Sequence, residues 1–263
     1  MCRGTGSAVS TIGRAPEELE MNDRSYVRII ALAFGGSFLV ATILQVLVLE
    51  NVLVQPPAIP SSASVVERVT ALEGYRHDSW PLYFAANAVF GLGFFMLTAL
   101  AIALFACVSA GDVRRLLLVS TLGTAGVVGL VEQAVLIGTV KVAIDIPSCD
   151  CALRTEEIVS RFWAEQAVRG AVRVLVEVAV LLGAAGLLIS GRLFGGTVMP
   201  RAWAILSFGT AALLAISVGL EFLVLGGLAG TWLGALASGI LIPIWALWIW
   251  RSFGISRAAA AAP

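Results

Sequence analysis

Six long, predominantly apolar runs constrain this chain more than anything else in it, because a helix needs about 20 predominantly apolar residues to cross the hydrocarbon core of a bilayer. They lie at 27–49, 82–108, 116–140, 170–190, 203–228 and 231–250. Inside a bilayer every backbone N–H and C=O has to be satisfied within the segment, so such runs fold as helices. The expected fold is therefore all-α, an integral membrane bundle of six transmembrane helices with the lipid bilayer as its main partner. Composition agrees: 59% of the 263 residues are hydrophobic and only 13% are charged, against about 25% charged in soluble domains. The first run follows a polar stretch and is too long for the apolar core of a cleavable signal, so it is expected to remain as an anchor. Residues 1–26 and 252–263 read as cytoplasmic tails, the first of them disordered.

The arginines suggest a direction. With the N-terminus inside, the inner segments carry Arg3, Arg14, Arg24 and Arg28, then Arg114 with Arg115, Arg192 with Arg201, and Arg251 with Arg257. Short loops dominate this bias, and both short loops that hold arginine pairs fall inside on this assignment. The expectation is N-in and C-in, in the cytoplasmic membrane, with the two long connections outside.

The first long connection begins with the breaker run Gln55-Pro56-Pro57-Ala58-Ile59-Pro60. Ser64-Val65-Val66-Glu67 then has the spacing of a capping box. Val65, Val66, Val69 and Leu72 give an apolar face, which predicts a short amphipathic helix on the outer membrane surface between spans one and two. In the second connection Thr155 precedes Glu156-Glu157, a start favoured by the helix dipole, and the helix is expected to run unbroken into the fourth span. Ala229-Gly230 reads as a tight turn between spans five and six. Gly35-Gly36, Gly91, Gly93, Gly183 and Gly186 permit close helix packing in lipid. Pro243 predicts a kink in the sixth helix, and Trp245, Trp248 and Trp250 read as an interfacial aromatic belt.

Acids inside the apolar runs carry the most functional information. Glu132 and Gln133 lie in the third run, Glu177 in the fourth and Glu221 in the fifth. A charge at the bilayer centre costs about 2.5–3.5 kcal/mol on insertion scales, so such residues face the bundle interior and pair. Helical rise puts Glu132 about 25 Å from Arg115, Glu177 about 22 Å from Arg192 and Glu221 about 30 Å from Arg201. In hydrocarbon about 30 Å thick all three fall in the outer third, and Asn87 in the second run falls at a similar level. Along the fourth helix Arg161, Glu165, Arg169, Arg173 and Glu177 recur at i,i+4, a spacing at which opposite charges attract. Arg173 can pair with Glu177 on its own helix, or with Glu132 or Glu221 across the bundle. The candidate ligand or ion site is Glu132, Gln133, Glu177, Glu221, Arg173, Asn87 and Arg169. The rival reading is a structural ion-pair network that fixes helix register. A third is snorkelling at the membrane edge.

Cys149 and Cys151 form a C-x-C pair in the second outer connection and are a candidate disulfide. With Asp150 they could meet a soft metal, but two thiolates fall short of the four ligands of a closed zinc site, so no metal centre is expected. His77 is the only histidine, which excludes zinc held by several histidines and haem held by two. No Walker loop, G-x-S-x-G or H-E-x-x-H occurs, and no cofactor is expected. Zero formal net charge gives no sign of a nucleic-acid partner.

Met199-Pro200-Arg201-Ala202-Trp203-Ala204-Ile205, Pro243-Ile244-Trp245-Ala246-Leu247-Trp248 and Leu130-Val131-Glu132 resemble motifs of an uncharacterised bacterial family of multi-pass membrane proteins, known only as a domain of unknown function. The resemblance covers mainly the C-terminal third. It implies the membrane architecture and no activity.

Three function classes stay open. One is a non-enzymatic membrane protein that binds an ion or small polar ligand in an outward-facing cavity, in a transporter-like or sensory role. The second is a membrane-embedded enzyme acting on lipid or isoprenoid groups, with Glu132, Glu177 or Glu221 as acid or base. The third is a structural or assembly subunit working with another membrane protein or as an oligomer.

Overall fold

The computed structural model describes residues 16–49, 58–106, 113–145, 155–223 and 228–260. Cys149, Cys151 and the N-terminal end of the tail lie outside them. The helices are α1 (Pro16–Leu49), α2 (Val65–Ala106), α3 (Val113–Asp145), α4 (Thr155–Phe194), α5 (Arg201–Leu223), α6 (Leu228–Leu236) and α7 (Ile242–Ala260), with a π-helical turn at Ala237–Leu241 joining the last two. Six helical spans are long and apolar enough to cross a membrane: Ser25–Leu47, Asp78–Ala106, Val113–Thr139, Trp163–Phe194, Arg201–Glu221 and Trp232–Phe253. This is the architecture of a multi-pass membrane protein.

Both faces of these helices are apolar, and packing separates them. On α1, Val27, Ala31, Phe34, Phe38 and Ala41 are buried, while Ile29, Leu32, Leu39, Val40 and Ile43 are exposed. The buried set recurs every three to four residues, so one stripe meets protein and the opposite one presents apolar side chains outward, as a surface suited to lipid does. Consecutive spans are neighbours from α1 through to α6, and α7 packs back on α1. The spans therefore form a ring in sequence order, closed between first and last. Close approach makes that closure: a Cβ on Gly35 would stand 2.8 Å from Ala246 Cβ, and one on Gly239 would collide with Thr42.

Several expectations are corrected. The capping box forms at Ser64, but its helix does not stop short of the second span; α2 continues through Pro81. Residues 16–26 of the expected disordered tail belong to α1. Ala229 and Gly230 lie inside α6, so the turn between spans five and six is not there. The fifth helix is described over Arg201–Leu223, and Leu228, expected at its end, belongs to α6. Helix α4, by contrast, runs unbroken from Thr155 into the span as expected.

Pro243 acts through the π turn. Proline has no N–H and its ring clashes with the carbonyl four residues back, here that of Gly239. Widening the turn relieves the crowding, and the Ile242 N–H reaches back five residues to the Ala237 carbonyl.

Trp245 is not part of an aromatic belt. It is fully buried, stacked on Trp203 with centroids 5.4 Å apart and met edge-on by Phe34. Its Nε1 donates to Ser207 Oγ at 2.9 Å, and Trp203 Nε1 donates to the Trp245 carbonyl at 3.3 Å. Each indole thus has both packing and a polar partner inside the bundle. The motifs carrying Trp203 and Trp245, well separated in sequence, meet here. Trp250 is partly buried, with the Arg28 guanidinium over its ring at 5.6 Å.

At the start of α2, Glu67 accepts from the Ser64 N–H (2.7 Å) and hydroxyl (2.9 Å), and the Glu67 N–H donates to Ser64 Oγ (3.2 Å). The Ser64 backbone bond first, and its hydroxyl second, hold the Glu67 carboxyl below its ordinary value of 4.5. A lowered pKa means that the capping contribution is present above the ordinary value and is lost as pH falls through the folded one. Protection of the Ser64 amide from hydrogen exchange, corrected for intrinsic rate, should therefore fall between about pH 6 and about pH 3. Glu67→Gln should show the weaker protection at both. Equal protection of the native chain at both pH values would mean that the box does not form.

Candidate functional site

A partly open cavity of about 290 Å³ lies within the ring of spans. Every span contributes to its wall, from Phe34 and Phe38 on α1 to Ile242 and Trp245 on α7. One end is polar, where Gln45, Glu132, Gln133, Glu177 and Glu221 come in from α1, α3, α4 and α5. The other end is apolar and closes on Leu122, Leu187, Leu214 and Trp245. The distance along α4 from Glu177 to Leu187 corresponds to about 15 Å of helix rise.

Helix-to-helix close packing positions these side chains. Gly186 on α4 lies where a Cβ would collide with Leu122 of α3, so α3 and α4 approach closely one helical stretch below Glu177. Above that contact the helices carry their acids inward. Glu132 is 4% exposed, Glu177 5% and Gln133 7%.

The polar groups are only partly matched. Gln133 Nε2 donates to both Glu132 carboxylate oxygens at 2.9 Å, although adjacent residues do not ordinarily face one another on a helix. The other end of that amide, Gln133 Oε1, is buried with no hydrogen-bond partner. The Glu177 carboxyl lies within hydrogen-bond reach of Glu221 and near Arg173. Arg173 Nη2 stands 3.2 Å from Glu221 Oε2, bridging α4 to α5 at the rim, where Arg173 is 56% exposed. At this end of the cavity Gln133 Oε1 is thus a buried acceptor without a partner, and Glu177 and Glu221 bring two carboxyls together.

The sequence-derived candidates divide. Glu132, Gln133, Glu177 and Glu221 converge on the cavity wall, with Arg173 at its rim. Arg169 does not join them; its Nη2 pairs with Glu165 Oε1 at 2.7 Å on its own helix. Asn87 is buried, but its Nδ2 donates to the Tyr83 carbonyl one turn back at 2.7 Å, and it is not on the cavity wall. Gln45, Ser217 and Ser238 line the cavity and were missed. Gln45 had a readable signal, as an amide near the outer end of an apolar run. The two serines had none, since their hydroxyls bond their own helices, to the Leu214 and Gly234 carbonyls, and small hydroxyl residues are common throughout these spans.

Among the described residues no three His, Cys, Asp or Glu side chains come together closely enough to hold a metal ion. Comparison with protein-family models, curated proteins and solved structures finds no match to this chain.

Proposed function

We propose that this protein binds a cation or small protonated ligand in the central cavity, in a transporter-like or sensory role. The observation that carries this reading is the convergence of Glu132, Glu177 and Glu221, from three different helices, on one cavity. Two carboxyls in hydrogen-bond range repel each other when both are ionised, so the Glu177–Glu221 pair is satisfied by a proton or another cation held between them. Arg173 offsets one of the three acids from the rim. Retaining buried acids against their insertion cost is a mark of ion or substrate paths.

Glu177→Gln tests this, because it keeps shape and removes charge. The variant should fold and melt in detergent at or above the native temperature. It should lose the stabilisation that added sodium, potassium or ammonium chloride gives the native chain. A ligand at about 100 times its Kd stabilises by about 2.7 kcal/mol, which a melting curve resolves. The structural reading, favoured by the Arg173–Glu221 and Arg169–Glu165 pairs, predicts a lower melting temperature for Glu177→Gln and no response to cations in either protein.

The arginine distribution supports N-in and C-in, which would turn the polar end of the cavity outward. With the native cysteines replaced by serine, Ser62→Cys in the exposed turn before α2 should then react with an impermeant maleimide on intact cells. Labelling only after lysis would turn the cavity to the cytoplasm.

A further inference from the structure

We infer that the cavity takes an arylalkyl or short alkyl amine in its protonated form, with the ammonium head among Glu132, Gln133 and Glu177 and the apolar body lying toward Trp245. This rests on reading the cavity as a cation site and adds the class of cation.

The first ground is that the cavity is polar at one end only. An inorganic ion needs oxygen ligands all round it, and below the acids the walls offer carbon. Phe34, Phe38, Phe90 and Phe94 form a linked set, with Phe38 edge-on to Phe34 at 5.0 Å, to Phe90 at 5.5 Å and to Phe94 at 5.3 Å. All four line the cavity with Trp245. Aromatic walls beside carboxylates suit an organic ammonium, whose charge is attracted to ring faces and whose body is apolar.

The second ground is the unmatched acceptor. Gln133 lines the cavity and is 7% exposed, and its Oε1 is buried without a hydrogen-bond partner. Leaving such a group unsatisfied costs about 1–3 kcal/mol. A primary or secondary ammonium brings N–H donors for a carboxylate and, once the Gln133 amide turns toward the cavity, for its oxygen as well, which a quaternary ammonium cannot do. Size sets the third limit. About 290 Å³ lies at the lower edge of the roughly 300–1,000 Å³ typical of ligand pockets, which admits a small amine and excludes a whole phospholipid.

Gly183 supplies a way to test occupancy apart from charge. It lies on the cavity wall, and a Cβ built there meets nothing within 4 Å. Gly183→Leu should therefore fill the cavity without disturbing the helices around it.

The experiment is calorimetric titration of the full chain in detergent with phenethylamine and with 2-phenylethanol, its neutral counterpart. The amine should bind roughly tenfold or more tightly than the alcohol, as a charge-assisted hydrogen bond implies. Glu177→Gln should remove most of that difference. Gly183→Leu should abolish binding of both while melting no lower than the native chain. If the leucine variant does not accumulate, Gly183→Ala should weaken both ligands together. Equal affinity for amine and alcohol would overturn the inference, as would a Gly183→Leu variant that binds like the native chain. If phenethylamine fails to bind while sodium or potassium stabilises the native chain and not Glu177→Gln, the amine is wrong and the cation site stands. If no cation of either kind is bound, both fall.

Discussion

Trp245→Ala is expected to destabilise the bundle by about 3–5 kcal/mol. In a bilayer the separated helices already hold their side chains in lipid, so the hydrophobic transfer that dominates soluble cores contributes little to helix association. What remains is the hole left behind. Cavity surface costs about 20 cal/mol per Å² and a tryptophan fills about 150–250 Å², which gives that range. The site has little means of collapsing. Trp203 lies against one face of the Trp245 indole, Phe34 meets it edge-on, and all three side chains are at most 2% exposed. Trp245→Phe keeps a ring in the stack and loses the Nε1 bond to Ser207. Ser207 Oγ still donates to the Trp203 carbonyl, so the loss should be about 1 kcal/mol. Unfolding of both variants by denaturing detergent gives the comparison. An alanine variant no weaker than the phenylalanine one would show that the stack is not a stabilising contact. Trp245 also floors the cavity, so Trp245→Ala should enlarge the apolar end and loosen its selectivity for ligand size.

The position of Trp245 shows where the sequence was readable and where it was not. Span number was legible because bilayer thickness sets how long an apolar run must be; span ends were less so, and the fourth, expected over 170–190, runs from Trp163 to Phe194. The inward stripe of each helix was not, because in lipid the outward stripe is equally apolar. On α5, Ile205, Phe208 and Ile216 are exposed and Trp203, Leu214 and Val218 are buried, with no difference in chemistry between the sets. A tryptophan near a helix end therefore looked interfacial when it was core. The acids were legible because hydrocarbon penalises them wherever they stand. That they could meet at one level of the bundle was readable from helical rise, but their direction around the helix was less so. Four residues turn a helix by about 400°, so each i,i+4 step drifts about 40°. From Glu177 in the cavity, Arg173 is one step away and lies at the rim; Arg169 is two steps away, out of the cavity, and pairs with Glu165. A charge ridge that reads as one line in sequence winds out of the site within two steps. The continuation of α2 through Pro81 was hidden for a different reason. Proline is usually a helix boundary, yet this helix runs from Val65 to Ala106 with Pro81 inside it.

The same seam logic gives the second large effect, and it falls on glycines that drew no notice in the sequence. Gly126→Ala is expected to destabilise the protein by about 1–3 kcal/mol or more, the range for overpacked sites, whereas Gly123→Ala, one turn away, should be neutral or stabilise by up to about 1 kcal/mol through helix propensity. The difference comes from what lies opposite. A Cβ on Gly126 would stand 2.6 Å from the Phe94 carbonyl oxygen and 2.9 Å from the Thr98 backbone nitrogen, with Thr98 Oγ nearer still. Backbone atoms of a packed helix cannot turn aside, so α2 and α3 would have to separate. Separation would also break the contact of Thr98 Oγ with the Gly123 carbonyl, 3.3 Å across the same seam. At Gly123 a Cβ meets nothing within 4 Å. Melting the two variants side by side in one detergent is the check, and equal stabilities would mean that the α2–α3 approach is looser than described. The consequence reaches the cavity, because a Cβ on Gly129 would collide with the Phe94 ring and Phe94 is part of the cavity wall. The glycines of α3 thus set how far the aromatic wall stands from the acids that α3 carries one turn further on. If small-residue packing places that wall, Gly126→Ala should weaken ligand binding even under conditions where the variant is fully folded, and Gly123→Ala should leave it intact.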